Sequence, residues 1–246
     1  MTTSTHPLPP LITNELDVLA ALWPVPTGRV IELGCGAARM ARAMVERWPA
    51  LNYLGLEVDT RQHAANLAEP HPRMEFRLES AEKIHAPDHR FDLALMLKSL
   101  HHVPVERMDV ALREVARVLR PGGFLYVSEP VFDGSLNGIV RLFNDEQAVR
   151  LAAQQAVDRA TSGPDAPFEQ IDERRFDMPA HFQNFDEFER RMMRPTFADH
   201  ALDAAKIARV AQAFAPHLGA GGAHFTRPMH VRWLRLRASV NRRETI

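Results

Sequence analysis

One cysteine, Cys35, in 246 residues excludes an intramolecular disulfide and leaves too little sulfur for a thiolate metal cluster, so no metal site is expected. Charge of one sign is also missing. The formal net charge of -1 gives no overall attraction to nucleic acid or anionic lipid, which favour strongly basic surfaces. Long apolar runs are absent too: none approaches the roughly 20 residues that span a bilayer, the nearest being broken at Trp23-Pro24 and at Lys98. The N-terminal decapeptide MTTSTHPLPP lacks the basic stretch and apolar run of a signal peptide. These absences lead us to expect a cytoplasmic, soluble chain with no membrane and no nucleic acid as partner. A composition of 46% hydrophobic and 25% charged residues does suit a folded core, and the length suits one large α/β domain with an appendage.

A repeating order of strand and helix organises the first half. A short helix over 14–22 places Leu16, Leu19, Ala20 and Trp23 on one stripe. Arg29 to Leu33 then reads as a strand that ends in Gly34-Cys35-Gly36 and passes into a helix carrying Met40, Met44, Val45 and Trp48. Further strands are expected at 51–58, 74–78 and 91–97, the last an almost unbroken apolar run of the kind buried in parallel sheets. Met108, Leu112, Val115 and Leu119 form a helix stripe that stops at Pro121-Gly122-Gly123 before a strand over 124–128. From Asp133 to Gly222 the rhythm gives way to mostly helical patterns, and 230–237 is extended and apolar with arginines. The expected division is therefore a helical lead-in over 1–26, a core over 27–132, a helical cap over 133–222 and a final core strand within 223–246.

Glycines at a strand-to-helix turn let a ligand approach the backbone and the helix N-terminus, although many α/β proteins use such a turn for packing only. Glu57, about 20 residues past the glycines, stands where a carboxylate can accept both hydroxyls of a ribose. Asp59, the rival for that role, is expected to cap the following helix.

These features and four further motifs give the resemblance. With ELGCG at 32–36 and GLE at 55–57 stand Glu79-Ser80-Ala81-Glu82, Arg90-Phe91-Asp92, Ser99-Leu100-His101-His102-Val103 and Leu119-Arg120-Pro121-Gly122-Gly123. From Arg29 to Pro130 the chain resembles the class I S-adenosylmethionine-dependent methyltransferases of the small-molecule branch. The resemblance implies a doubly wound, seven-stranded, mostly parallel sheet with a helical cap. It implies S-adenosylmethionine as cofactor, S-adenosylhomocysteine as product, and a small molecule as acceptor. Glu32, Gly34, Cys35 and Gly36 would then flank the methionine part of the cofactor. Glu57 would hold the ribose, with Val58 beside it among the cofactor-binding residues, Ser80, Ala81 and Glu82 would meet the adenine, and Lys98 and Ser99 would line the pocket floor. Two departures stand out: Ala38 replaces a frequent third glycine, and Ser80 replaces a frequent aspartate.

A nicotinamide dehydrogenase needs a glycine where Arg39 stands and does not account for LHHV or LRPGG. Base-amino methyltransferases carry an Asn- or Asp-Pro-Pro-aromatic tetrapeptide, which the chain lacks. Methyl transfer from a sulfonium is an in-line displacement whose catalytic side chains can be few. His101, His102 and His181 are the candidate bases, the first two beyond the fourth strand, where parallel sheets hold ligands. Bracing of the loop through backbone hydrogen bonds is their alternative role. Glu129 and Asp133 favour an amine or other nitrogen acceptor, with loop capping as the alternative. Phe143, His181 and Phe182 are candidates for the acceptor pocket. Oxygen or sulfur acceptors, and cofactor binding without catalysis, stay open, as does the choice between monomer and homodimer.

Overall fold

Buried strands alternate with amphipathic helices from residue 28 onward, and the sheet follows from that alternation. The structure is a computed structural model that describes residues 9–23, 27–196 and 198–238. The first eight residues of the expected lead-in, Pro24 after its helix, and the last eight residues lie outside the described residues. The chain forms two compact units.

The first unit comprises Leu16–Glu129, Val149–Glu173 and the chain from Val231 onward. Its elements begin with α1 (Glu15–Leu22), β1 (Gly28–Leu33), α2 (Arg39–Arg47), β2 (Leu51–Glu57), α3 (Thr60–Ala68) and β3 (Met74–Leu78). They continue through β4 (Phe91–Leu97), α4 (Met108–Val118) and β5 (Leu119–Pro130). After α5 (Gly134–Val140) of the other unit come α6 (Gln147–Thr161) and the long strands β6 (Phe168–Phe182) and β8 (Gly222–Leu236), both of which run on into the second unit. The sheet order is β3-β2-β1-β4-β5-β8-β6. Parallel pairing joins β1 to β2 and β4, β2 to β3, and β4 to β5.

Leu93, Ala94, Leu95 and Met96 in β4 are fully buried, which is why that strand reads as continuous apolar sequence. On α4, Met108, Leu112 and Val115 fall on the face packed into the main core with Ile31, Leu56 and Val127. β5 begins earlier than expected. It starts at Leu119, and the pairing shifts from Phe91↔Leu119 to Leu93↔Phe124, so Arg120 to Gly123 form a bulge at the start of the strand.

The second unit comprises residues 9–15, Pro130–Ala148 and Arg174–His230. It holds α5, α7 (Phe185–Phe188), α8 (Ala204–Phe214), β7 (Leu218–Gly219) and the adjoining parts of β6 and β8. Phe182, Phe188, Phe214 and Phe225 form its core with Ile139, Val140, Phe143 and Val210. The segment expected to be mostly helical thus contains a 15-residue strand, β6, that the sequence pattern did not reveal. β6 is the last strand in the sheet order, so its sequence is charged and it accommodates Pro179, which an edge strand tolerates. Among the described residues no helix is long and apolar enough to cross a membrane.

Candidate functional site

At the end of β1 the chain reverses through two left-handed glycines, Gly34 at φ 74° and Gly36 at φ 50°. The N–H groups of Gly34 and Cys35 both donate to Leu56 O at 2.9 Å, which fastens the turn to the end of β2. A Cβ on Gly34 would lie 2.8 Å from Ser99 Cβ, whereas one on Gly36 would meet nothing within 4 Å. Gly34 is therefore required by close packing inside the protein. Gly36 is the residue that presents a bare backbone face to open space, the cradle a bound molecule needs. Ala38 follows at φ 53°, fully buried, so the absent third glycine is replaced by an alanine held in the same left-handed conformation.

Glu57, 7% exposed, closes the turn from β2. Its Oε2 accepts the Gly36 N–H at 2.7 Å, and its Oε1 accepts those of Val58 and Asp59 at 2.8 and 2.9 Å. A carboxylate has about four acceptor positions, so three are occupied by main chain and little remains for a ribose. Asp59 caps α3 as expected, accepting the Arg61 N–H at 2.9 Å. Val58 is 65% exposed and offers an apolar surface beside the carboxylate. Ser80, Ala81 and Glu82 are half-buried on the turn after β3, which the Glu79 N–H ties to Glu57 O at 3.2 Å.

Glu32 is 3% exposed at the end of β1. Burial first, then the charges of Glu32 and Glu57, push the Cys35 thiol far above the usual thiol range. It remains a neutral thiol.

Past β4 the backbone turns at Lys98, at φ 57°, whose N–H donates to Ser128 O of β5 at 2.7 Å. Ser99 Oγ is buried without a hydrogen-bond partner among the described residues. His101, 5% exposed, hydrogen-bonds through Nδ1 to Oε2 of Glu129, itself 1% exposed, while Glu129 Oε1 accepts the Leu100 N–H at 2.9 Å. Such a carboxylate orients the imidazole and keeps the proton on Nδ1, leaving the lone pair on Nε2. The exposed His102 packs its ring 4.1 Å from that of His101. The LHHV motif and Glu129 were singled out separately in the sequence; the fold joins them.

Arg90-Phe91-Asp92 and Leu119-Arg120-Pro121-Gly122-Gly123 stand at the starts of β4 and β5, the opposite ends of the strands from the glycine turn. Asp92 accepts the Arg29 N–H at 2.7 Å and pairs with Arg120. These motifs hold the sheet together.

In the second unit Asp133 caps α5, accepting the Gly134 N–H at 2.7 Å, which is the loop-capping alternative. His181 is exposed; its Nε2 bonds Gly221 O at 2.8 Å and its ring lies 4.5 Å from that of His224. Phe182, 1% exposed, packs against Phe188, Phe214 and Phe225 under the Arg191 guanidinium. Phe143, 8% exposed, meets Phe188 and His200. Both phenylalanines are thus core residues of this unit. Asn66, which no motif in the sequence marks, contacts the glycine turn from α3.

Residues 30–123 match the family model described as a methyltransferase domain. The 27-O-demethylrifamycin SV methyltransferase of Amycolatopsis mediterranei is 35% identical over 122 residues, covering 48% of this chain and 44% of that protein. The fatty-acid O-methyltransferase of Mycolicibacterium smegmatis is 39% identical over 114 residues, 43% of this chain and 39% of that protein. The chain thus spans less than half the length of these two curated relatives. Among solved structures, the YcgJ protein from Bacillus subtilis shares the fold, with a TM-score of 0.63 at 19% identity over 91% of this chain and 98% of that one.

Proposed function

We propose that this chain is a class I S-adenosylmethionine-dependent methyltransferase and that it methylates a hydroxyl oxygen of a small organic molecule, with His101 receiving the proton. When bound, S-adenosylmethionine supplies an electrophilic methyl and its own leaving group. The open face of Gly36 and the buried Ser99 hydroxyl fit a ligand beside the glycine turn. In this reading Gly34 to Gly36, Cys35 and Glu32 adjoin the methionine portion, and Glu57 uses its remaining acceptor position for the ribose. Val58, Ser80, Ala81 and Glu82 serve the adenine, and Lys98 and Ser99 the floor.

The observation that carries the choice of oxygen is the His101–Glu129 pair. Glu129 spends its two oxygens on His101 and on the Leu100 N–H, so its charge is directed at the imidazole and not at a cationic acceptor. That removes the main reason for favouring an amine. A hydroxyl, unlike a neutral amine, must lose its proton as the new bond forms, and an oriented imidazole meets that need. The names of the two curated relatives, both O-methyltransferases, point the same way. The second unit, which lies outside the family match over residues 30–123, is assigned the choice of acceptor.

Replacing the base tests this reading. His101→Asn should leave S-adenosylhomocysteine affinity within about twofold and lower kcat by about 100-fold, the usual scale of general-base catalysis. An unchanged kcat would remove His101 from the chemistry.

A further inference from the structure

Asn66 is an amide in the last turn of α3 that is only 2% exposed, and buried polar side chains are kept where they have a partner to hold. Its Nδ2 donates to Gly36 O at 2.7 Å and reaches Cys35 Sγ at 3.7 Å. From the other side, Glu57 Oε2 accepts the Gly36 N–H at 2.7 Å. The N–H belongs to the peptide plane before Gly36 and the carbonyl to the plane after it. Holding both planes fixes φ and ψ of the residue whose backbone is freest to move.

We propose that Asn66 is a positioning residue for the donor: with Glu57 it clamps Gly36 so that the glycine's open face is set before the ligand arrives. The inference rests on the reading of this turn as the S-adenosylmethionine site. Gly36 sits at φ 50° with nothing within 4 Å of where its Cβ would be, so no packing holds it from the ligand side. Glu57 alone would leave the carbonyl plane free to swing, and binding would then bear the cost of ordering it.

Two variants separate a tether from a space-filler. Asn66→Asp keeps the shape but turns an oxygen toward Gly36 O and adds charge near Glu32 and Glu57, whereas Asn66→Ala removes the donor without repulsion. Calorimetry with S-adenosylhomocysteine should show about a 10-fold weaker Kd for Asn66→Ala and a larger loss for Asn66→Asp. KM for the donor should rise in Asn66→Ala while kcat at saturation stays within about twofold. In the ligand-free protein, hydrogen exchange of the amides from Cys35 to Ala38 should accelerate in both variants. If Asn66 only fills space, the isosteric Asn66→Asp will bind like wild type and exchange will not change, which overturns the proposal. Faster exchange in the variants, together with a wild-type protein that binds no S-adenosylhomocysteine, would instead refute the donor-site reading and leave the tether standing as a fold device alone.

Discussion

Glu57→Ala removes at once the acceptor of three main-chain N–H groups, those of Gly36, Val58 and Asp59. The consequences for folding and for binding differ in size. Val58 is 65% exposed and Asp59 is half-buried, so water can reach their amides once the carboxylate is gone. The Gly36 amide is the donor with most to lose, and one such group without its charged partner costs about 1–3 kcal/mol. Thermal unfolding should therefore shift down by that amount and not by three times it. Binding loses the ribose contact, about 1.5–3 kcal/mol for a charge-assisted bond, and also the preset turn. Since each 1.4 kcal/mol is tenfold in Kd, calorimetry with S-adenosylhomocysteine should give an affinity weaker by about 10- to 200-fold. A variant that loses stability but binds within about threefold of wild type would show that Glu57 only braces the turn, and that the ribose is held elsewhere.

Gly36→Asn should fold, since asparagine tolerates the left-handed region and a Cβ there meets nothing within 4 Å. It should abolish cofactor binding; normal affinity would mean that the open face is not the ligand's place. Cys35 provides a pH prediction whose sign follows from its raised thiol pKa. Above the ordinary thiol value the unfolded chain releases a proton that the folded chain keeps, so stability falls as pH rises beyond about 8.5. Cys35→Ala should flatten that fall in urea titrations between about pH 8.5 and 10, and an equal slope in both proteins would place the effect on other groups.

Much of the first unit was legible because its signals are local. β4 announces itself by apolar continuity, α4 by a stripe at helical spacing, and the Gly34-to-Gly36 turn by residues that only a sharp reversal demands. Asp59 was readable as a cap because capping acts over two residues. What escaped depends on distant partners. β6 carries Glu169, Asp172, Glu173, Arg174 and Arg175, so no alternation marks it, and its strand character comes from its place at the sheet edge. The His101–Glu129 contact spans 28 residues and Asn66–Gly36 spans 30; neither has a signature along the chain. Gly34 and Gly36 look alike in sequence, and only Ser99 against the one and open space beside the other separate their roles.

Transfer of a labelled methyl group tests the central claim most directly. The purified chain would be incubated with S-adenosylmethionine carrying a tritiated methyl and with pairs of small aromatic and aliphatic acceptors that differ only in hydroxyl against amine. The label should appear on hydroxyl members as a methyl ether, and His101→Asn should slow its appearance by about 100-fold. Label found only on the amine members, at the same rate in His101→Asn as in wild type, would contradict both the oxygen acceptor and the role of the His101–Glu129 pair.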